Sequence, residues 1–221
     1  MKKIVIFGNG KIARTVAYYC QAWRLAEVCG FAVDRNFMNT DACINRPLVA
    51  ADEMTDRFPP SEYSAFVAVG YQDLNGLRAR KVAELKTIGY ELISVIHPTA
   101  IGLVQTGANS MVIPGETLFE PFVILGSNVF IWSGVSLSHY VEVGDNTWIS
   151  NSSVVGGNVT IGKDCFIGLN VTINNRVTVG NGCLVGSGSL VTRDLPDGKA
   201  MLPEATALAP ADAQIIKALL K

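Results

Sequence analysis

The sequence predicts two architectures in series: a small parallel α/β sheet, then a three-sided parallel β coil ending in a short C-terminal helix. Three observations carry this. Strand-like and helix-like patterns alternate over residues 1–96. Large apolar residues recur every six positions from residue 113, and glycine is concentrated there, with fourteen of the 21 in residues 101–192 and six in residues 1–96. The expected divisions are 1–96, 97–195 and 196–221.

In the first division, strands are expected at Lys3–Phe7, Val28–Val33, Ala65–Val69 and Glu91–Ile96, with helices at Ile12–Trp23 and Leu74–Ile88. Between Asp34 and Pro60 the sequence predicts loop, one short strand at Pro47–Val49 and a short helix at Ala51–Arg57. Gly8-x-Gly10-x-x-Ala13 follows the first strand and opens the first helix, and Asp34 ends the second strand, which fits a dinucleotide fingerprint. The space before the coil holds only half of a Rossmann fold. One half suffices for a nucleotide-linked ligand whose phosphates meet loop amides and a helix N-terminus. Purely structural glycines are the alternative.

In the second division, stepping by six from Ile113 reaches Phe119, Leu125, Ile131 and so on to Val191, fourteen large apolar residues without a gap. Small or medium residues lie four further on, from Thr117 to Ser189, and both series are expected to face one interior. Glycine often follows the large residue, and Asn, Asp, Ser or Gly comes next, types that suit corners. Each hexad is then a strand plus a corner, and three close an eighteen-residue coil whose rungs stack at about 4.8 Å. An outward column, Val112, Phe130, Trp148, Phe166 and Leu184, is apolar at every level. Such a stripe predicts a homo-oligomer interface, unless a C-terminal helix at Ala211–Leu220 covers it.

A formal net charge of −1 and a pI near 6.1 exclude a broad positive field for nucleic acid. No apolar run is long enough for a bilayer, and Met1-Lys2-Lys3 leads into a strand rather than a secretory segment, so a cytoplasmic protein without membrane partners is expected. Five cysteines lack CxxC spacing, which argues against disulfides and zinc knuckles. Two histidines, His97 and His139, are too few for a three-histidine metal site, and no metal is expected. His97 precedes Pro98 at the domain junction and reads as a hinge residue. Asn75 and Arg78, at the start of the second helix, are candidates for phosphate contact or for a solvated face. His139 stands at a corner two residues past inward Leu137, and the residue eighteen on is Gly157, whose amide lacks a covering side chain. A base beside an open amide is what acyl transfer needs.

The hexad coil, preceded by an α/β unit ending in Ile96-His97-Pro98-Thr99-Ala100, resembles the hexapeptide-repeat sugar O-acyltransferase family, typified by sialic acid O-acetyltransferases and bacillosamine-pathway N-acetyltransferases. The resemblance implies a left-handed parallel β-helix, a homotrimer, and acetyl transfer from acetyl-CoA to a nucleotide-linked amino deoxysugar in polysaccharide biosynthesis. It implies His139 as general base and the Gly157 amide facing the thioester carbonyl. Coenzyme A would lie along Trp148, Gly156, Gly157 and Asn175. The nucleotide sugar would lie at Gly8, Asn9, Gly10, Lys11, Asp34, Arg35, Gly70 and Tyr71, with Trp132 on the acceptor side. Tyr140 stands where an acidic residue often follows the base, which leaves Glu120 or Glu142 to orient the imidazole. Trp132 and Trp148 replace an asparagine and a second histidine common in such enzymes. No serine or cysteine near His139 has an activating setting, so direct transfer is expected. O-acetylation of a sugar hydroxyl and a non-catalytic nucleotide-binding trimer are the alternatives.

Overall fold

A computed structural model describes residues 1–38, 42–100, 104–113 and 118–204. The N-terminal sheet grows from alternation. In β1 (Lys2–Phe7), Ile4 and Ile6 join one core with Ala13, Val16 and Cys20 of α1 (Lys11–Ala22), while Val5 and Phe7 join another on the opposite face. That second core takes in Met54 of α2 (Met54–Arg57) and Val82 and Leu85 of α3 (Gly76–Ile88). The parallel strands β2 (Ala26–Val33), β4 (Arg46–Ala50) and β5 (Ser64–Val67) surround β1 in the order β3-β4-β2-β1-β5, where β3 (Ala42–Cys43) runs antiparallel to β4. The β1–β2 register slips between Val28 and Gly30, and at Gly30 a Cβ would enter the Phe58 ring.

The strand expected at Glu91–Ile96 is divided instead. Leu92 makes one parallel bridge to Ala65, whereas Val95–Ile96 pairs with Met111–Val112 of the coil. The chain leaves one sheet and becomes the first rung of the next. His97 then packs against the Trp23 ring at 4.8 Å and bonds Thr99 Oγ1 at 2.6 Å.

From there two-residue strands stack as three parallel sheets. Phe130–Ile131 pairs with Trp148–Ile149, Ser136–Leu137 with Val154–Val155, and Ile124–Leu125 with Glu142–Val143, each eighteen residues apart. Both hexad series are inside: Leu125 to Val191 and Val123 to Ser189 are buried at every step, with Phe119 half-buried. Two polar members, Thr147 and Ser153, are satisfied from the coil above, whereas the buried Ser189 hydroxyl has no partner among the described residues. Thr147 Oγ1 donates to the Gly162 carbonyl at 2.8 Å and accepts from the Cys165 amide at 3.1 Å, and Ser153 does the same with Gly168 and Val171.

Two expectations are corrected. Ile131 pairs with Val112 rather than Ile113, because one extra residue lies between Val112 and Phe119. Val112 therefore faces the coil interior, Ile113 joins the N-terminal core, and Met111 heads the outward column. The first three levels of that column are covered by the chain itself rather than left for a neighbour, while Phe166 and Leu184 are half-buried. Met111, Phe130 and Trp148 are buried beneath the chain's own α/β unit, with Phe66 stacked on Phe130 at 5.8 Å and Tyr71 against Trp148 and Phe166 at 5.2 and 4.9 Å. The expected C-terminal helix lies outside the described residues.

A polar seam lies beside this apolar contact. Arg78 of α3, 0% exposed, donates to Asn128 Oδ1, to the Asn75 side chain and to the carbonyls of Gly70, Asn128 and Asn146 at 2.7–3.4 Å, with its guanidinium 4.3 Å from the Phe130 ring centroid. Burial presses its pKa down, and the charge of Asp164 opposes that. Asn75 donates to the Cys165 carbonyl at 2.9 Å. Asn75 and Arg78 are thus neither phosphate ligands nor a solvated face, since both are sealed between the two units.

Candidate active site

The loops after β1, β2 and β5 meet at the carboxyl ends of the parallel strands, where open α/β sheets bind ligands. They enclose a cavity of about 410 Å³ lined by Gly8, Asn9, Gly10, Lys11, Asp34 and Gly70, together with Phe37, Gln72 and Lys81. Gly8 has φ +126°, and a Cβ there would stand 2.8 Å from the Ala68 carbonyl, so the turn requires glycine. At Gly10, the N-cap of α1, a Cβ would meet nothing within 4 Å, which leaves the helix N-terminus open. Asp34 accepts from Lys81 Nζ at 2.7 Å. Burial works against the Lys81 charge, but its bonds to Asp34 and Glu84 outweigh it and hold its pKa above the usual value.

Two residues expected here lie elsewhere. Arg35 is committed to Asp52 and Glu53 at 2.8 and 2.7 Å, and Tyr71 packs over Trp148 and Phe166. Lys81 was not anticipated, because its place on the charged α3 gave no sign that it reaches across to Asp34.

The second site is the His139 corner, and the coil's regularity explains it. Corner amides in this coil are usually capped from above: the N–H groups of Ser127, Gly157 and Lys163 donate to side chains of Asp145, Asn175 and Asn181, each eighteen residues on. For His139 the residue eighteen on is Gly157, which has no side chain to offer. Glu120 from the coil below takes that place. One carboxylate oxygen, Oε2, accepts the His139 backbone N–H and meets ring Nδ1, both at 2.8 Å. The imidazole bond, then the backbone bond, hold the Glu120 carboxyl below the usual carboxylate range. Glu120 is therefore the orienting partner, rather than Glu142, which sits on the next face in a rung with Ile124 and Thr160. Gly157 also makes room for the ring, since a Cβ there would lie 2.7 Å from Nε2.

The His139 side chain is 51% exposed and lines a cavity of about 380 Å³ with Gly157, Asn158, Asn175 and Arg176. An adjoining groove runs past Ser138, Gly156 and Asn174, and shares Asn175. The Gly157 amide is not bare, as the sequence suggested: it is buried under the imidazole and donates to Asn175 Oδ1 at 2.9 Å. Trp148, expected against the cofactor, is 4% exposed beneath the α/β unit, and half-buried Trp132 packs on it at 5.3 Å. Neither lines the His139 cavity. Asn158 and Arg176, which do, were missed. Burial raises the Cys165 thiol to about 11 and Cys20 to about 12, so neither is a ready nucleophile. Among the described residues, no group of three or more His, Cys, Asp or Glu is placed to hold a metal ion, and no helix is long and apolar enough to cross a membrane.

Comparison with known proteins finds the same hexad repeat in this three-sided coil. The family described as bacterial transferase hexapeptide (six repeats) matches residues 140–175 and 158–193. No curated protein matches the chain. Among solved structures, it is similar to PerB from Caulobacter crescentus in complex with CoA and GDP-perosamine, at 26% identity and a TM-score of 0.80, covering 92% of this chain and 95% of that one. It is also similar to the acetyltransferase domain of PglB from Neisseria gonorrhoeae FA1090 in complex with acetyl coenzyme A, at 22% identity and a TM-score of 0.80, covering 91% and 96%. WeeI from Acinetobacter baumannii AYE aligns at 18% identity and a TM-score of 0.58, over 91% and 97%. The chain therefore shares the two-part fold of these structures, an α/β unit followed by a left-handed parallel β-helix of hexapeptide repeats.

Proposed function

We propose that this chain transfers an acetyl group from acetyl-CoA to an amino group on a nucleotide-linked deoxyamino sugar, with His139 as general base. The observation that carries the reading is the Glu120–His139–Gly157 corner. Glu120 accepts the Nδ1 proton, which leaves Nε2 free to accept one from the substrate. As the sugar nitrogen attacks the thioester carbonyl carbon, Nε2 takes its proton, the C–S bond breaks, and the proton passes to the departing thiolate. The carbonyl oxygen takes the acceptor position at the Gly157 amide that Asn175 Oδ1 holds in this structure. No covalent acyl-enzyme is involved.

The likeness to PerB, held with CoA and GDP-perosamine, supports both substrates. The Gly8–Lys11 loop and the N-terminus of α1 suit a diphosphate, and Asp34 suits a ribose or base donor. The nucleotide cavity and the His139 cavity share no lining residue, so one protomer supplies the two halves apart. We assign the assembly as a homotrimer in which neighbours bring them together. Exposed Leu118, Phe122, Ile124, Tyr140 and Val154 flank the His139 corner and suit that contact. A solution mass three times the 23.7 kDa chain supports this, and that of a single chain overturns it.

The reading is tested by incubating the protein with acetyl-CoA and a panel of UDP-, GDP- and dTDP-linked amino sugars while following free thiol. Release that requires one of these acceptors is the expected result. A protein that binds the nucleotides but releases no thiol would be a scaffold.

A further inference from the structure

Corner residues in this coil adopt the left-handed conformation, which costs an ordinary L-residue about 1–2 kcal/mol. Two of the three corner columns meet this with suitable types. One reads Asn128, Asn146, Asp164 and Gly182, the other Gly134, Ser152, Asn170 and Gly188. The third is the His139 corner, and it alone carries large side chains: Phe122, Tyr140 and Arg176, with φ of 69°, 57° and 63°, alongside Asn158 at 57°. Strain accepted at one corner, beside an open cavity, marks side chains kept for what they touch.

Arg176 is the member with the most definite chemistry. It is exposed, it lines the cavity holding His139 and Gly157, and among the described residues no carboxylate pairs with it. Residues 118–192 contain one other cation, Lys163, whose amide is capped by Asn181 at a different corner. A solvent-facing guanidinium without an internal partner, two coils above the base and beside Asn175, presents a forked donor to an anion.

We infer that Arg176 binds a phosphate group of a substrate in the transfer groove, and so sets affinity without taking part in proton transfer. This rests on the acyltransferase reading, under which both substrates carry phosphates: the donor in its nucleotide portion and the acceptor in its diphosphate. The test compares wild type with Arg176→Asn, the residue type other corners use, and Arg176→Lys. Calorimetry with CoA, and separately with UDP, GDP and dTDP, reads the two sources. About tenfold weaker binding of CoA by Arg176→Asn, partly restored in Arg176→Lys, assigns the donor phosphate. The same loss for a nucleoside diphosphate assigns the acceptor. The melting temperature of Arg176→Asn should stay level or rise, since strain is relieved, and a fall would point to packing instead. Wild-type affinity of Arg176→Asn for all four ligands overturns the inference alone. If wild type binds none of them, the acyltransferase reading fails instead.

Discussion

One missing side chain organises the His139 corner. Without a cap from residue 157, the His139 amide turns to Glu120, and the same oxygen fixes the ring. In Glu120→Gln the imidazole loses a charged acceptor but the fold loses little, because the pair is exposed. We expect kcat to fall about tenfold or more with both KM values and the melting temperature unchanged; equal kcat would show that Glu120 does not position the base. The pH dependence has a definite sign. A carboxyl with a depressed folded pKa contributes above its ordinary value and loses that contribution only as pH falls through the lowered one. Glu120 therefore stays ionised across about pH 5 to 8, so the acid limb of kcat/KM there should involve the same number of protons in wild type and in Glu120→Gln. One proton fewer in Glu120→Gln would contradict this. That His139 and Gly157 lie together at one corner was legible from the eighteen-residue spacing. The choice of Glu120 over Glu142 was not, because it depends on which corner amide is left uncapped, and the engaged state of the Gly157 amide depends on the reach of Asn175.

At the level of elements, period six specified the coil almost residue by residue, since each rung buries two positions and any slip would expose them. The slip that does occur, at Val112, was hidden because Val112 and Ile113 are both large and apolar, so either fits the series. The outward stripe was read correctly as something to be covered, but apolarity does not say by what. Arg78 was misread for a related reason: a helix-borne arginine gives no sequence sign of burial, and its acceptors lie 50 and 68 residues away. Replacing it by Ala leaves several buried acceptors of the asparagine seam unpaired. Arg78→Ala should destabilise the protein by at least about 2 kcal/mol in denaturant unfolding. A change below about 0.5 kcal/mol would mean that the seam does not hold the two units together.

Over the whole molecule, the α/β unit presents a cavity of about 410 Å³, the coil presents His139, and the buried seam holds the two units in fixed relation. The central claim is that His139 performs the chemistry while other residues carry binding. The most direct test is His139→Ala, assayed for thiol release with acetyl-CoA and the best acceptor, alongside calorimetry with the matching nucleoside diphosphate. The account predicts a loss of kcat of about a hundredfold or more with nucleotide affinity unchanged. Turnover within a fewfold of wild type would contradict it.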